Sequence, residues 1–265
     1  MHENPIDLYV FSGTGNTLLA ACEVARYFCQ QGIDIRLLRL EKADPAAIDP
    51  TRTLGLAFPV AVQSTYPFVW RFVEALPQVQ GTGAFMLDTL AGYSGGLVGP
   101  MRKLLKSKGY TPMGACEIVM PANFMKVMKD EEKKRKRIAK GLKKARIFAH
   151  DLHYGLAKWR EVPVLPNLMN RVSRSEKPWQ SMRRKLALTI DTSRCIRCGL
   201  CYKLCPTDNI RMYEFPEMQD HCEICVRCIN FCPVQAISTT LKSAPPYRAV
   251  KANDLLNPDP TGTTE

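Results

Sequence analysis

The sequence predicts an α/β protein in which a doubly wound parallel sheet is followed by a smaller α+β domain built around cysteines. Three observations predict it. Strand-length apolar runs alternate with helix-length amphipathic ones over residues 1–155, as in a parallel sheet covered by helices on both faces. A loop rich in glycine and hydroxyls, Ser12-Gly13-Thr14-Gly15-Asn16-Thr17, joins the first strand to the first helix. Finally, the segment from Cys195 to Cys232 holds two copies of C-x2-C-x2-C-x3-C-P.

Taken in order, Ile6 to Phe11 has the apolar, β-branched content of a buried strand. The helix after the loop carries Leu18, Ala21, Cys22, Ala25, Phe28 and Cys29 on one face, at steps of three and four. Leu54 to Pro59 reads as the third strand, leading into a loop from Val60 to Tyr66. Ala84 to Asp88 reads as the fourth, followed by a loop from Thr89 to Gly96, and Gly114 to Met120 as the fifth. Residues 130–154 supply the last helix of this part. Asp130, Glu131 and Glu132 precede its lysines, which suits the helix dipole, and Ile138, Leu142, Ala145, Ala149 and Leu152 form an inward stripe.

A strand, a glycine- and hydroxyl-rich loop and a helix present backbone N–H groups and a helix N-terminus to a phosphate. The dinucleotide fingerprint fails, because Leu18 stands where its third glycine belongs, and the Walker lysine is absent. A hydroxyl-rich loop without lysine fits a single monophosphate such as that of riboflavin 5′-phosphate. Phe11 to Thr17, F-S-G-T-G-N-T, resembles the FMN-phosphate loop of flavodoxins, and the third and fourth strands with their loops continue the resemblance. It implies a flavodoxin-like strand order, 2-1-3-4-5, with FMN at the carboxyl ends of strands 1 and 3. It also implies phosphate contacts from Ser12, Gly13, Thr14, Gly15, Asn16 and Thr17. Ring contacts would come from the loops carrying Pro59 and Tyr66 and carrying Thr89, Tyr93 and Gly95, with Tyr66 and Tyr93 the candidates for stacking. Gly92 to Gly96 also spells G-x-S-x-G, and Asp151 and His153 could complete a hydrolase triad. The tight flavin loop accounts for the same glycines.

In the cysteine runs, three thiolates at a step of three let a tight loop wrap three corners of a cubane, the bacterial-type spacing for paired [4Fe–4S] clusters. Zinc sites use separated C-x2-C pairs and need neither a third cysteine at that step nor a trailing C-P. Disulfides suit small secreted domains, whereas Met1 to Pro5 lacks the basic-then-apolar character of a signal peptide. The runs resemble those of two-cluster ferredoxins. That resemblance implies crossed ligation, with Cys195, Cys198, Cys201 and Cys232 on one cluster and Cys222, Cys225, Cys228 and Cys205 on the other. Cys22 and Cys29 lie roughly 10 Å apart by helical rise, beyond disulfide reach, and with Cys116 they read as buried thiols.

The formal charge of +12 is concentrated. Residues 126–185 hold 19 Lys/Arg against 6 Asp/Glu, while the other 205 residues are close to balanced. That segment reads as a solvated helix face or as a docking surface for an acidic redox partner protein. Nucleic acid is a poorer fit, because the interleaved aromatics that single strands require are largely missing. No apolar run approaches the ~18–20 residues that cross a bilayer, so a soluble, cytoplasmic protein is expected. The connector, residues 156–186, carries Trp159 and Trp179 and is too apolar for a loose linker; it is expected along the domain interface. The cluster domain is expected at 187–242 and a tail at 243–265. Together the two resemblances imply an electron-transfer protein with FMN and two [4Fe–4S] clusters, joined in one chain so that transfer between them is intramolecular. An FMN-dependent reductase of a small molecule and a redox sensor that binds a polyanion remain the alternatives.

Overall fold

A computed structural model describes residues 3–92, 96–124, 127–160, 176–240 and 245–259. Strands β1 (Ile6–Val10), β2 (Ile35–Arg39), β3 (Thr53–Pro59), β4 (Gly83–Leu90) and β5 (Thr111–Val119) form one parallel sheet in the order β2-β1-β3-β4-β5. This is the flavodoxin-like order. Helices α1 (Asn16–Gln30) and α4 (Glu131–His153) cover one face, and α2 (Pro67–Ala75) and α3 (Val98–Ser107) the other. β1, β3 and β4 are sandwiched between the two layers, so both of their faces are buried and they read as continuous apolar runs rather than alternating ones. Asp130 caps α4 by accepting from the Lys133 N–H at 3.0 Å, with Glu131 and Glu132 in the first turn. Many of the helix's bases are spent within the chain: Lys133, Lys134 and Lys136 pair with Asp130, Glu131 and Glu132, and Arg146 reaches Glu23.

One expectation for α1 is corrected. Cys29 is exposed and Cys22 half-buried; of the three cysteines outside the paired runs, only Cys116 is buried. The buried arc of α1 includes Ala20, Val24 and Tyr27 besides Leu18, Ala21, Ala25 and Phe28. That arc is wide because α1 packs against the sheet and α4 together, and the Cys22–Cys29 edge falls at its margin.

The C-terminal part is small and paired. After α5 (Glu176–Lys185), strand β6 (Leu188–Ile190) runs antiparallel to β9 (Ile237–Thr239), and β7 (Ile210–Met212) to β8 (Pro216–Met218). Each cysteine run ends in one short helix, α6 (Leu200–Leu204) or α7 (Arg227–Phe231); a last helix, α8 (Ala252–Leu256), follows. This part packs directly on the sheet domain. Leu204, Phe231 and Leu255 are buried in the same cluster as the apolar residues of α1 and α4. On the opposite face, Trp159 and Trp179 of the connector are buried with Tyr66 and Cys225. The Trp159 indole N–H donates to the Val98 carbonyl at 2.9 Å, and the Lys158 carbonyl accepts from Ala115 of β5. The apolar stretch Val162 to Leu165 lies outside the described residues.

Two side chains of the second cysteine run bolt the parts together. The Arg227 guanidinium, 1% exposed, donates through Nε to the Ser12 carbonyl at 2.8 Å. Its Nη1 donates to Glu41 Oε1 at 2.7 Å and to the Leu204 carbonyl at 3.1 Å, and the group lies over the Phe11 ring. Burial alone would raise the Glu41 carboxyl, but the charges and hydrogen bonds of Arg227, aided by Arg39, more than offset it and hold Glu41 below its ordinary value. The second bolt is Glu223. Its carboxylate accepts from the Phe68 N–H at 2.9 Å, in the first turn of α2, and pairs with Arg71 at 2.6 Å.

Arg227→Met leaves Glu41 buried beside Arg39 alone and is expected to cost about 3–5 kcal/mol; thermal melts should show it, with Glu41→Gln in the same chain recovering part of the loss. Asp88, near the end of β4, is fully buried and neither carboxylate oxygen has a hydrogen-bond partner among the described residues. Burial first, then repulsion from Glu117, holds it well above the usual carboxylate range. A pKa raised by folding gives stability that is intact below the unfolded value, about 4, and is lost as pH rises. Asp88→Asn should therefore gain stability relative to wild type as pH increases above about 4, measured as Tm against pH.

Candidate functional site: two cysteine-lined cavities beside a phosphate loop

The loop from Ser12 to Thr17 sits at the carboxyl end of β1, where the sheet order reverses direction. Gly15 takes φ +106, a left-handed conformation that glycine adopts readily, and it starts α1 without a side-chain cap. The first turn of α1 contains no acidic residue. A buried helix N-terminus without a cap leaves backbone N–H groups to be satisfied by an anion. Hydroxyls are held in place around it: Ser12 Oγ accepts from the Gly15 N–H at 3.0 Å, Thr17 and Thr89 hydroxyls meet at 2.7 Å, and Asn123 donates to Thr14 Oγ1 at 2.9 Å. Asn16 donates through its amide to the Pro121 carbonyl.

A cavity of about 460 Å³, open solvent included, is lined by Ser12, Gly13, Thr14, Asn16 and Thr17 together with Pro59, Tyr66 and Thr89. Val60, Leu90, Ala91 and residues 120–123 complete it, so the loops after β1, β3, β4 and β5 all contribute. The donor set fits the phosphate of FMN. Gly15 forms the turn behind this wall. Tyr66 reaches the cavity but is also packed among Phe11, Phe68 and Trp179, at ring-centre distances of 5.2, 5.8 and 5.8 Å. Tyr93 and Gly95 lie outside the described residues. Asp151 and His153 sit at the far end of α4, where His153 is buried against Tyr27 as core packing.

The eight cysteines of the paired runs divide between two cavities. One, about 480 Å³, is lined by Cys205, Cys222, Cys225 and Cys228, and the other, about 360 Å³, by Cys195, Cys198, Cys201 and Cys232. Both volumes include open solvent. Each cavity thus takes three thiols from one run and the fourth from the other, which is the crossed grouping. The trailing cysteines leave their short helices in extended conformation, and this carries each one across to the neighbouring cavity. Backbone N–H groups of Asn209, Ile224 and Ala236 donate to the sulfurs of Cys205, Cys222 and Cys232 at 3.2 to 3.3 Å. Such bonds stabilise thiolates and tune cluster potentials. The tight wrap shows in the backbone: Arg197 and Gly199 in the first run, and Ile224 and Val226 in the second, all have φ between +55 and +70. For β-branched residues that conformation costs about 1–3 kcal/mol each.

The two cavities differ in exposure. Cys205, Cys225 and Cys228 are buried, whereas Cys198 is exposed and Cys195, Cys201 and Cys232 are half-buried. The inner cavity abuts the phosphate loop. A Cβ added at Gly13 would come within 2.9 Å of the Cys225 carbonyl oxygen, so only glycine permits this approach. Burial pushes the Cys225 thiol up to about 12, so a compensating positive charge must accompany any thiolate there. The sequence reading missed the two residues that create this asymmetry. Glu223 and Arg227 occupy places where the first run has Ile196 and Leu200. A comparison of the two copies outside their cysteines would have revealed them.

Paired cysteine-lined cavities joined to a flavodoxin-like sheet define an electron-transfer protein with an iron–sulfur domain. A family model described as a 4Fe-4S binding domain matches residues 188–211. Pyruvate synthase subunit PorD of Methanocaldococcus jannaschii is 33% identical over 72 residues, 26% of this chain and 79% of that protein. Through this segment the chain belongs to the 4Fe-4S binding-domain family. Among solved structures, a Streptococcus pneumoniae TIGR4 flavodoxin is similar at 16% identity and a TM-score of 0.41, covering 57% of this chain and 97% of its own. A Megasphaera elsdenii flavodoxin is similar at 20% identity and 0.39, covering 52% and 97%. The fold assignment itself rests on the strand order. No helix among the described residues is long and apolar enough to cross a membrane.

The crossed grouping makes a specific demand. Cys205→Ala should abolish the same cluster signal as Cys225→Ala, and Cys232→Ala the same as Cys198→Ala, in electron paramagnetic resonance of reduced protein. Loss that follows sequence order instead would refute the grouping.

Proposed function

We propose that this protein moves electrons between a partner protein and FMN through two [4Fe–4S] clusters arranged in series. Cys195, Cys198, Cys201 and Cys232 would hold the outer cluster, and Cys205, Cys222, Cys225 and Cys228 the inner one. The loop from Ser12 to Thr17 would hold the flavin phosphate, with Pro59, Tyr66 and Thr89 on the cavity wall. Residues 93 and 95 join this set from the sequence reading alone. The observation that carries the proposal is the contact of Cys225 with both Gly13 and the Tyr66 cluster, which puts the inner cysteine cavity against the cavity beside the phosphate loop. The clusters would supply one-electron exchange and the flavin one- or two-electron exchange.

Partner contact is best placed at the outer cavity. Cys198 is exposed there, and Ile196, Tyr202 and Tyr213 lie in the same motif region with 60, 47 and 61% exposure. Exposed apolar groups of this kind mark interaction surfaces. The related PorD is by name a subunit of pyruvate synthase, which supports a protein oxidoreductase as the partner. The basic excess between residues 126 and 185 would steer an acidic one. We place the domain boundaries near residues 155 and 187, with 156–186 as the connector.

Anaerobically purified protein should contain roughly eight irons and one FMN per chain, by iron, sulfide and flavin quantitation. Four irons, or no flavin after reconstitution, would overturn the series arrangement. In stopped-flow measurements Tyr66→Leu should slow flavin reduction by the clusters while leaving cluster reduction by dithionite unchanged.

A further inference from the structure

The chain does not end with the cluster domain. After β9 it returns to the sheet domain, where residues 247–250 lie against the phosphate loop and residues 252–259 continue along α1. Tyr247, 3% exposed, donates its hydroxyl to Asn16 Oδ1 at 2.6 Å. The Ala249 N–H donates to the Thr14 carbonyl at 2.8 Å. Val250 lies against Gly15 so closely that a Cβ on that glycine would come within 2.6 Å of its side chain. Leu255 of α8 then buries itself in the cluster formed by α1 and α4. The other side of the same segment is tied to the cluster domain. The Tyr247 N–H donates to Asn230 Oδ1 at 2.8 Å, and Arg248 donates to the carbonyls of Asn230 and Cys232.

We propose that residues 247–259 form a strap that braces the phosphate loop from outside its cavity, and that the strap's anchorage on Asn230 and Cys232 sets how long the nucleotide is retained. Tyr247 acts as a positioning residue. It fixes Asn16, whose side chain also ties the start of α1 to Pro121, so the N–H groups facing the phosphate are held in place by a segment distant in sequence. Of the eight cysteines in the paired runs, Cys232 is the one whose carbonyl Arg248 grips, so the outer cluster loop and the phosphate loop share one support. Retention of FMN then depends on how firmly the strap holds Asn16 and Thr14 in place. The proposal rests on the FMN reading above and makes a separate demand.

The test is the FMN dissociation rate of the holoprotein, followed by recovery of flavin fluorescence after dilution. Tyr247→Phe removes the bond to Asn16, and Arg248→Ala removes the anchor's two side-chain bonds without touching the loop. Each should release FMN about tenfold faster, the effect of one lost buried hydrogen bond. Uptake at saturating FMN and iron content should stay at wild-type levels. Hydrogen exchange of amides 14–19 in FMN-free protein should quicken in both variants, a readout independent of the flavin. Normal FMN uptake with unchanged dissociation in both variants would overturn the strap alone. A wild-type chain that takes up no FMN would overturn the site reading and the strap together.

Discussion

A single buried guanidinium organises the molecule. Arg227 grows from the helix of the second cysteine run, yet three of its contacts lie outside that run: the Ser12 carbonyl at the phosphate loop, Glu41 after β2, and the end of α6. A charge this deeply buried is tolerated only when fully paired and hydrogen-bonded, which makes its position unique. Placing Arg227 therefore fixes the inner cysteine cavity, the start of the phosphate loop and the first cysteine run relative to one another.

The near-symmetry of the cluster domain is broken by this requirement. The two runs share spacing, left-handed turns and short helices. Glu223 and Arg227 commit one end to the sheet domain. In the other run the equivalent residues are the exposed Ile196 and the partly buried Leu200, and its cavity includes the exposed Cys198. An inside and an outside follow from four side chains, without any change in the cysteines themselves.

Much of this was legible in the sequence because the signals were local. The parallel sheet followed from the alternation of elements, its strand order from the flavodoxin resemblance, and the loop after β1 from a short run of glycines and hydroxyls. Cysteine spacing identified the cluster motifs directly. What could not be read were contacts between residues far apart in the chain. The pairing of Arg227 with Glu41 spans 186 positions, and Tyr247 with Asn16 spans 231. Periodicity carries no trace of either. It also put Cys29 on the buried face of α1, because a helical wheel gives the direction of an apolar face but not the width of the arc its neighbours cover. Of the connector, Trp159 and Trp179 stood out in the sequence as apolar, and both are buried with Tyr66 and Cys225.

Glu223 caps the helix that begins just beyond Tyr66, and the Cys225 carbonyl rests on Gly13, so the spacing between the inner cysteine cavity and the loop after β1 is built into hydrogen bonding and close packing. On the proposed function, these contacts would hold the inner cluster and the flavin at a fixed spacing, so transfer between them would need no docking step and control over flux would fall where other molecules meet the surface.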